Sequence, residues 1–168
     1  MIKIESIKNF TSNENIDELS KNIYQITDHL CKHYPRHREW YFSTQLPESI
    51  NSDKRNILFV RDENNKDKII AMSCLKNDNE KKICTLYVLP EYRNKGIGTK
   101  LIEESMNWLG TTKPFATIAN DNLKELIPII KKYNWELVEV LNNVYNDFSH
   151  ELCFNGSLTK NIDETKKY

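Results

Sequence analysis

"ICTLYVLPEYRNKGIGTKLIEESMNWL", residues 83–109, decides how this chain is read. It opens on an apolar, β-branched and aromatic run that suits a strand, ended by Pro90. It closes on "TKLIEESMNWL", which reads as an amphipathic helix. Between them stand Gly96 and Gly98, two of only four glycines in 168 residues, beside Arg93 and Lys95. A helix start presents unpaired N–H groups and the positive end of its dipole. A glycine-rich turn ahead of it lets several N–H groups converge on one anion and lets a bulky phosphate approach the backbone. The stretch therefore has the chemistry of a phosphate site, and of a pyrophosphate site in particular.

Other phosphate-binding patterns fit less well. The Walker pattern needs a glycine five residues before the G-K-[ST] end, and here Gly98 is followed by Thr99 and Lys100 with no such glycine. The dinucleotide pattern GxGxxG needs a third glycine where Leu101 stands. Taken alone, the two glycines also suit a tight strand-to-helix turn with no ligand.

Working outward, "NILFVRD", "KIIAMSCLK" and "KKICTLYVL" are three strand candidates joined by short polar links rich in Asn and Asp, which predicts an antiparallel meander. From Leu89 onward the pattern changes to helix, strand "FATIA", helix from about residue 123 to 133, and strand "WELVEVL". That β-α-β-α-β run predicts parallel neighbours with helices against the sheet. "ELCFNGSL" is expected to pair back antiparallel onto "ELVEVL". Upstream, "MIKIESI" is a first strand, and Ile16, Leu19, Ile23, Ile26 and Leu30 form the stripe of a helix capped by Asn13 or Asn15. Residues 35–54 read as a short helix and loops. The fold class is α+β, a single domain over residues 1–160 with one mixed, twisted sheet flanked by helices, followed by a polar tail at 161–168.

Composition narrows the function. The 24 basic and 24 acidic residues cancel, which argues against a free-standing nucleic-acid binder. Cys31, Cys74, Cys84 and Cys153 lack metal-ligand or disulfide spacing, so a reducing compartment is expected. The start has no apolar block of signal-peptide length, and no apolar run is long enough to cross a bilayer. The reading is a cytoplasmic protein with no membrane association and no metal. His29 and His33 sit four apart on a helix but lack an evident acidic third ligand.

Val88, Pro90, Arg93, Gly96 and Gly98 fall at the spacing V-x-P-x-x-R/Q-x-x-G-x-G/A. On these residues the stretch resembles the acetyl-CoA-binding core of the GNAT superfamily of N-acyltransferases, and the order of elements around it is similar too. The resemblance implies an enzyme that moves an acetyl group from acetyl-CoA to an amine by direct attack on the thioester. The acceptor would be a small molecule or a peptide, and the protein a monomer or homodimer. The resemblance places the coenzyme A pyrophosphate on the N–H groups of Arg93, Asn94, Lys95, Gly96, Ile97, Gly98 and Thr99. It places the pantetheine arm along the backbone of Leu86, Tyr87 and Val88, with Asn120 as a further contact. The motif strand would carry a bulge and part from "FATIA", and the Val88 N–H would stabilise the oxyanion.

The family's usual general acid, a tyrosine on the second crossover helix, falls here at Ile130, with Tyr133 three residues later. Tyr145 and His150, both in the loop between the last two strands, are the substitute acid and base candidates. Arg36, Trp40 and Tyr41, in "HYPRHREWYF", are candidates for an aromatic, cationic acceptor wall, or the aromatics fill core beneath a loop. The absent tyrosine keeps a second reading open, a catalytically weak domain of the same fold that binds acyl-CoA as a sensor or interaction module.

Overall fold

The computed structural model describes residues 1–10, 15–120, 123–142 and 150–158. Seven strands form one sheet: β1 Ile4–Ser6, β2 Arg55–Arg61, β3 Ile69–Asn77, β4 Lys81–Val88, β5 Phe115–Ala119, β6 Leu137–Asn142 and β7 His150–Phe154. Their order is β1-β2-β3-β4-β5-β7-β6. β1 to β4 pair antiparallel in sequence order, the expected meander. β4 and β5 pair parallel, while β7 is antiparallel to both β5 and β6. The closing strand thus inserts between β5 and β6, so those two strands are not neighbours as the crossover pattern suggested. Burial explains the choice. β7 is buried at every position but its first, whereas β6 leaves Leu137, Val138 and Val140 about half exposed and takes the edge.

Helices cover both faces. On one lie α4, Ile97–Leu109, and α5, Leu123–Lys132, over a core of Leu58, Val60, Leu75, Ile83, Val88, Leu101 and Ile118. Pro128 lies inside α5, where it removes the bond its N–H would make to the Lys124 carbonyl but does not end the helix. The other face carries α1, Ile16–Gln25, α2, His37–Trp40, and α3, Leu46–Asn51, over Ile23, Tyr24, Tyr41, Phe59 and Met72. Asn15 caps α1: its Oδ1 accepts from the Glu18 N–H at 3.3 Å while its Nδ2 donates to the Glu18 carboxylate at 3.1 Å. The stripe continues to Leu30 in sequence, but the α-helix stops at Gln25. Thr27 turns the chain there, its hydroxyl donating to the Tyr24 carbonyl at 3.0 Å. From Asp28 to Lys32 the backbone tightens into a 3-10 turn.

The stretch expected as a short helix and loops is a nearly continuous rod. A wide π-helical turn, Tyr41–Gln45, joins α2 to α3, and Pro47 falls in the first turn of α3. The widened turn aims Gln45 into the sheet, fully buried, where its Nε2 donates to the Asn56 and Leu75 carbonyls at 2.8 and 3.2 Å. Arg55 completes the knot by donating to Gln45 Oε1 at 2.8 Å.

Candidate active site

The site begins with a break in the sheet. β4 pairs with β5 only at Lys82↔Phe115 and Ile83↔Ala116. On its other side β4 carries a bulge: Thr85 lies opposite Cys74 and Ile83 opposite Leu75, which leaves Cys84 as the extra residue. A bulge bends its strand and strengthens its twist. Here the bulge falls where β4 parts from β5, opening a wedge between Thr85–Val88 and the second half of β5.

Ladder alternation decides what lines that wedge. The Leu89 N–H donates to the Ile70 carbonyl at 2.9 Å, so Thr85 and Tyr87 also turn their backbone groups toward β3. Leu86 and Val88, between them, turn theirs toward the wedge. The Val88 carbonyl accepts from Arg93 Nε at 2.9 Å, which leaves its N–H on the open side. Of the three strand residues expected to meet a pantetheine arm, Tyr87 therefore has its backbone committed to β3. Its ring lies on the opposite face, with ring centres 4.8 Å apart from His29 and the Arg93 guanidinium at 5.3 Å.

The turn beside the wedge is built for convergence of N–H groups. Pro90–Tyr92 forms a 3-10 turn, and the Arg93 N–H donates back to the Pro90 carbonyl at 3.2 Å. That bond takes Arg93 out of the open N–H row. Asn94 at φ 60° and Gly96 at φ 82° are both left-handed, and Gly96 starts α4 with no side-chain cap. The Lys100 N–H, donating to the Gly96 carbonyl at 3.1 Å, makes the first bond of the helix. Ahead of it, no acceptor among the described residues meets the N–H groups of Ile97, Gly98 and Thr99. The Ile97 side chain is buried in the core and fixes where the helix begins, while Asn94, Lys95 and Thr99 are exposed.

A Cβ at Gly96 would find nothing within 4 Å, whereas one at Gly98 would rest 3.7 Å from a Val88 methyl. Space for a ligand thus lies outside Gly96. Three ties hold the turn: Tyr92 donates to Asp62, Lys68 donates to the Tyr92 hydroxyl at 3.2 Å, and Arg93 lies 3.8 Å from Glu125. Lys95 sits 5.4 Å above the Tyr92 ring. Asn120 is exposed just past the end of β5, at the wedge's open end.

The expected proton-handling and acceptor residues fare differently. Tyr145 lies outside the described residues. His150 is exposed at the start of β7, its Nδ1 against Asn142 Oδ1. Ile130 packs against the core, and Tyr133 donates to Glu103 at 2.7 Å, so that tyrosine ties α5 to α4. The acceptor wall needs correction. Trp40 and Tyr41 are buried in the core beneath α1, with the Tyr41 hydroxyl donating to the Ser20 carbonyl at 3.0 Å. Both side chains pack into the same apolar cluster, where large aromatic rings gain more from burial than from an exposed wall. Arg36 is exposed and paired with Glu39 at 3.1 Å.

One residue that sequence reasoning missed stands on the face opposite α4. Glu151, on β7 across from Ala119, is 1% exposed. Its Oε1 accepts from the Tyr34 hydroxyl at 3.1 Å, and its Oε2 has no partner among the described residues. Burial pushes its carboxyl up to about 7, against the Tyr34 bond and the positive charge of Lys82, both of which lower it. Only its polarity inside the apolar run "ELCF" could have signalled it.

Comparison with known proteins completes the picture. The model of the acetyltransferase (GNAT) family matches residues 16–125, a span that contains the bulge, the wedge and the glycine turn. Among curated proteins none matches the chain significantly. Solved structures do. The ribosomal-protein-S18-alanine N-acetyltransferase from Escherichia coli aligns with TM-score 0.63 at 14% identity, over 92% of this chain and 92% of its own. An acetyltransferase of the GNAT family from Streptococcus pneumoniae aligns with TM-score 0.63 at 13% identity, over 92% and 98%. An aminoglycoside 6'-N-acetyltransferase complexed with coenzyme A aligns with TM-score 0.58 at 14% identity, over 90% and 94%. At these identities the likeness is one of fold, and the family match carries the assignment: the chain belongs to the acetyltransferase (GNAT) family.

Proposed function

We propose that the protein transfers an acetyl group from acetyl-CoA to the amine of a small molecule or peptide, by direct attack on the thioester. The observation that carries this reading is the coincidence of two openings. The wedge between β4 and β5 exposes the Leu86 and Val88 backbone, and the uncapped start of α4 offers three N–H groups beside it. A pyrophosphate fits the second, with Lys95 and Lys100 adding charge, and an extended amide-bearing arm fits the first.

In this reading the N–H groups of Ile97, Gly98 and Thr99 hold the diphosphate, and Arg93 acts chiefly as a brace, locking the turn to β4 through Val88. The Val88 N–H faces the side where the thioester carbonyl would lie, and it stabilises the negative charge that grows on that oxygen. An alkyl amine arrives as an ammonium with a pKa of about 10, so a proton must leave before its nitrogen can attack.

A panel of amines with acetyl-CoA, read by release of free thiol, tests the proposal. Turnover with at least one amine class and none without amine is the expected result; binding of coenzyme with no turnover across small amines and peptide N-termini would overturn it. One observation favours that second outcome, a sensor that binds acyl-CoA: Ile130 holds the usual tyrosine position and Tyr133 is engaged by Glu103.

A further inference from the structure

The acyltransferase reading, on which this inference rests, leaves the acceptor's proton unassigned. Two conditions define the group that takes it: it must reach the wedge from the face opposite α4, where an acceptor would not compete with the helix, and it must be basic near neutral pH.

Glu151 stands on that face, one strand from the wedge. Cross-strand partners share a face, so Glu151 and Cys153 stand with Ala119 and Thr117 of β5, on the face away from the core under α4. Lys82 of β4 forms the last rung but one before the strands part, and its charge reaches the Glu151 carboxyl across β5. Glu151 therefore stands on the strand next to β5, whose other edge borders the wedge. Tyr34, in the segment between α1 and α2, reaches down to hold one carboxylate oxygen at 3.1 Å and leaves the other without a partner among the described residues. A buried carboxylate with one oxygen fixed and one unused is costly to the fold, which is what a reserved proton acceptor looks like. Among the described residues the titratable groups acting on it are Tyr34 from the helical layer, Lys82 from β4 and Cys153 from β7.

We infer that Glu151 is the general base of the reaction, taking a proton from the acceptor ammonium through its unpartnered oxygen, with Tyr34 as the positioning residue. The ammonium gives one proton to the carboxylate and becomes a neutral amine. Its lone pair forms the C–N bond as the C–S bond breaks. The second nitrogen proton goes to the departing thiolate, and Glu151 returns the first to solvent. Burial makes the carboxylate basic enough for the task, since its carboxyl is pushed up to about 7.

The test uses the full chain, an amine found in the panel, and kcat as a function of pH for wild type, Glu151→Gln and Tyr34→Phe. Wild type is expected to show an acid limb near pH 7. Glu151→Gln should lose about 100-fold or more in kcat, lose that limb, and keep its thermal shift with coenzyme A. Tyr34→Phe removes a bond that lowers the carboxyl's pKa, so its limb should move to higher pH. A carbon-13 titration of glutamate carboxyls, with Glu151 assigned by its absence in Glu151→Gln, gives a readout that needs no acceptor. Titration in the ordinary range of about 4 to 5 would overturn the assignment. So would a Glu151→Gln enzyme with wild-type kcat and an intact limb, even as turnover by wild type upheld the acyltransferase reading. Coenzyme binding with no turnover of any amine sinks that reading and this role together.

Discussion

At the scale of single residues, Glu151 is buried at a cost that its one hydrogen bond, from Tyr34, offsets only in part. Its carboxyl is raised in the folded state, to about 7, above the ordinary 4.5. The stability tied to that group is therefore complete below pH 4.5 and lost as pH rises through 7, because the unfolded chain ionises freely while the folded one resists. Glutamine keeps the shape and does not titrate. Glu151→Gln should unfold later than wild type at pH 8, by up to about 3 kcal/mol, and lose the advantage near pH 4.5. Denaturant midpoints at the two pH values measure this, and a variant less stable than wild type at pH 8 would mean that the carboxylate is structurally paired after all. Nothing in the sequence singled out this residue, since one Glu in a strand reads as solvent-facing until the ladder turns it inward. The same limit explains Trp40 and Tyr41, whose aromatic character suits a wall as well as a core until their burial is known.

Among elements, the junction of β4 and α4 makes opposite demands on its two glycines. Gly96 is left-handed, a conformation that costs an L-residue about 1–2 kcal/mol, and it faces open space. Gly98 is inside the helix and a methyl there would make ordinary contact with Val88. Gly96→Ala should lose about 1 kcal/mol of stability and weaken coenzyme A binding at least tenfold, while Gly98→Ala should fold within about 1 kcal/mol of wild type and bind normally. Thermal unfolding with and without coenzyme A reads both effects; equal losses at the two sites would contradict this account of the turn. The junction is legible in the sequence because it is local: strand, Pro90, paired glycines and helix succeed one another along the chain. The π-helical turn at Tyr41–Gln45 is not, because its cause is remote. Gln45 is drawn inward by carbonyls of Asn56 and Leu75, on two strands far along the chain.

For the molecule as a whole, the meander and the crossover are readable from hydrophobic period and loop chemistry, and the glycine turn is readable residue by residue from its spacing. The insertion of β7 is not readable, because the choice between an inner and an edge position depends on which of two strands buries more apolar surface against both helix layers. That insertion places Glu151 beside β5, opposite Ala119. The sheet thus brings an uncapped helix start and an unpaired strand backbone together at one opening, with a buried carboxylate on the strand next to β5.

The most direct test of that convergence is thermal unfolding with coenzyme A and acetyl-CoA, set against ATP and NAD. A ligand at about 100 times its dissociation constant adds about 2.7 kcal/mol to stability. The account predicts a clear upward shift with both forms of the coenzyme and none with ATP or NAD. No shift with millimolar coenzyme would contradict it, and would leave the glycines as a turn that binds nothing.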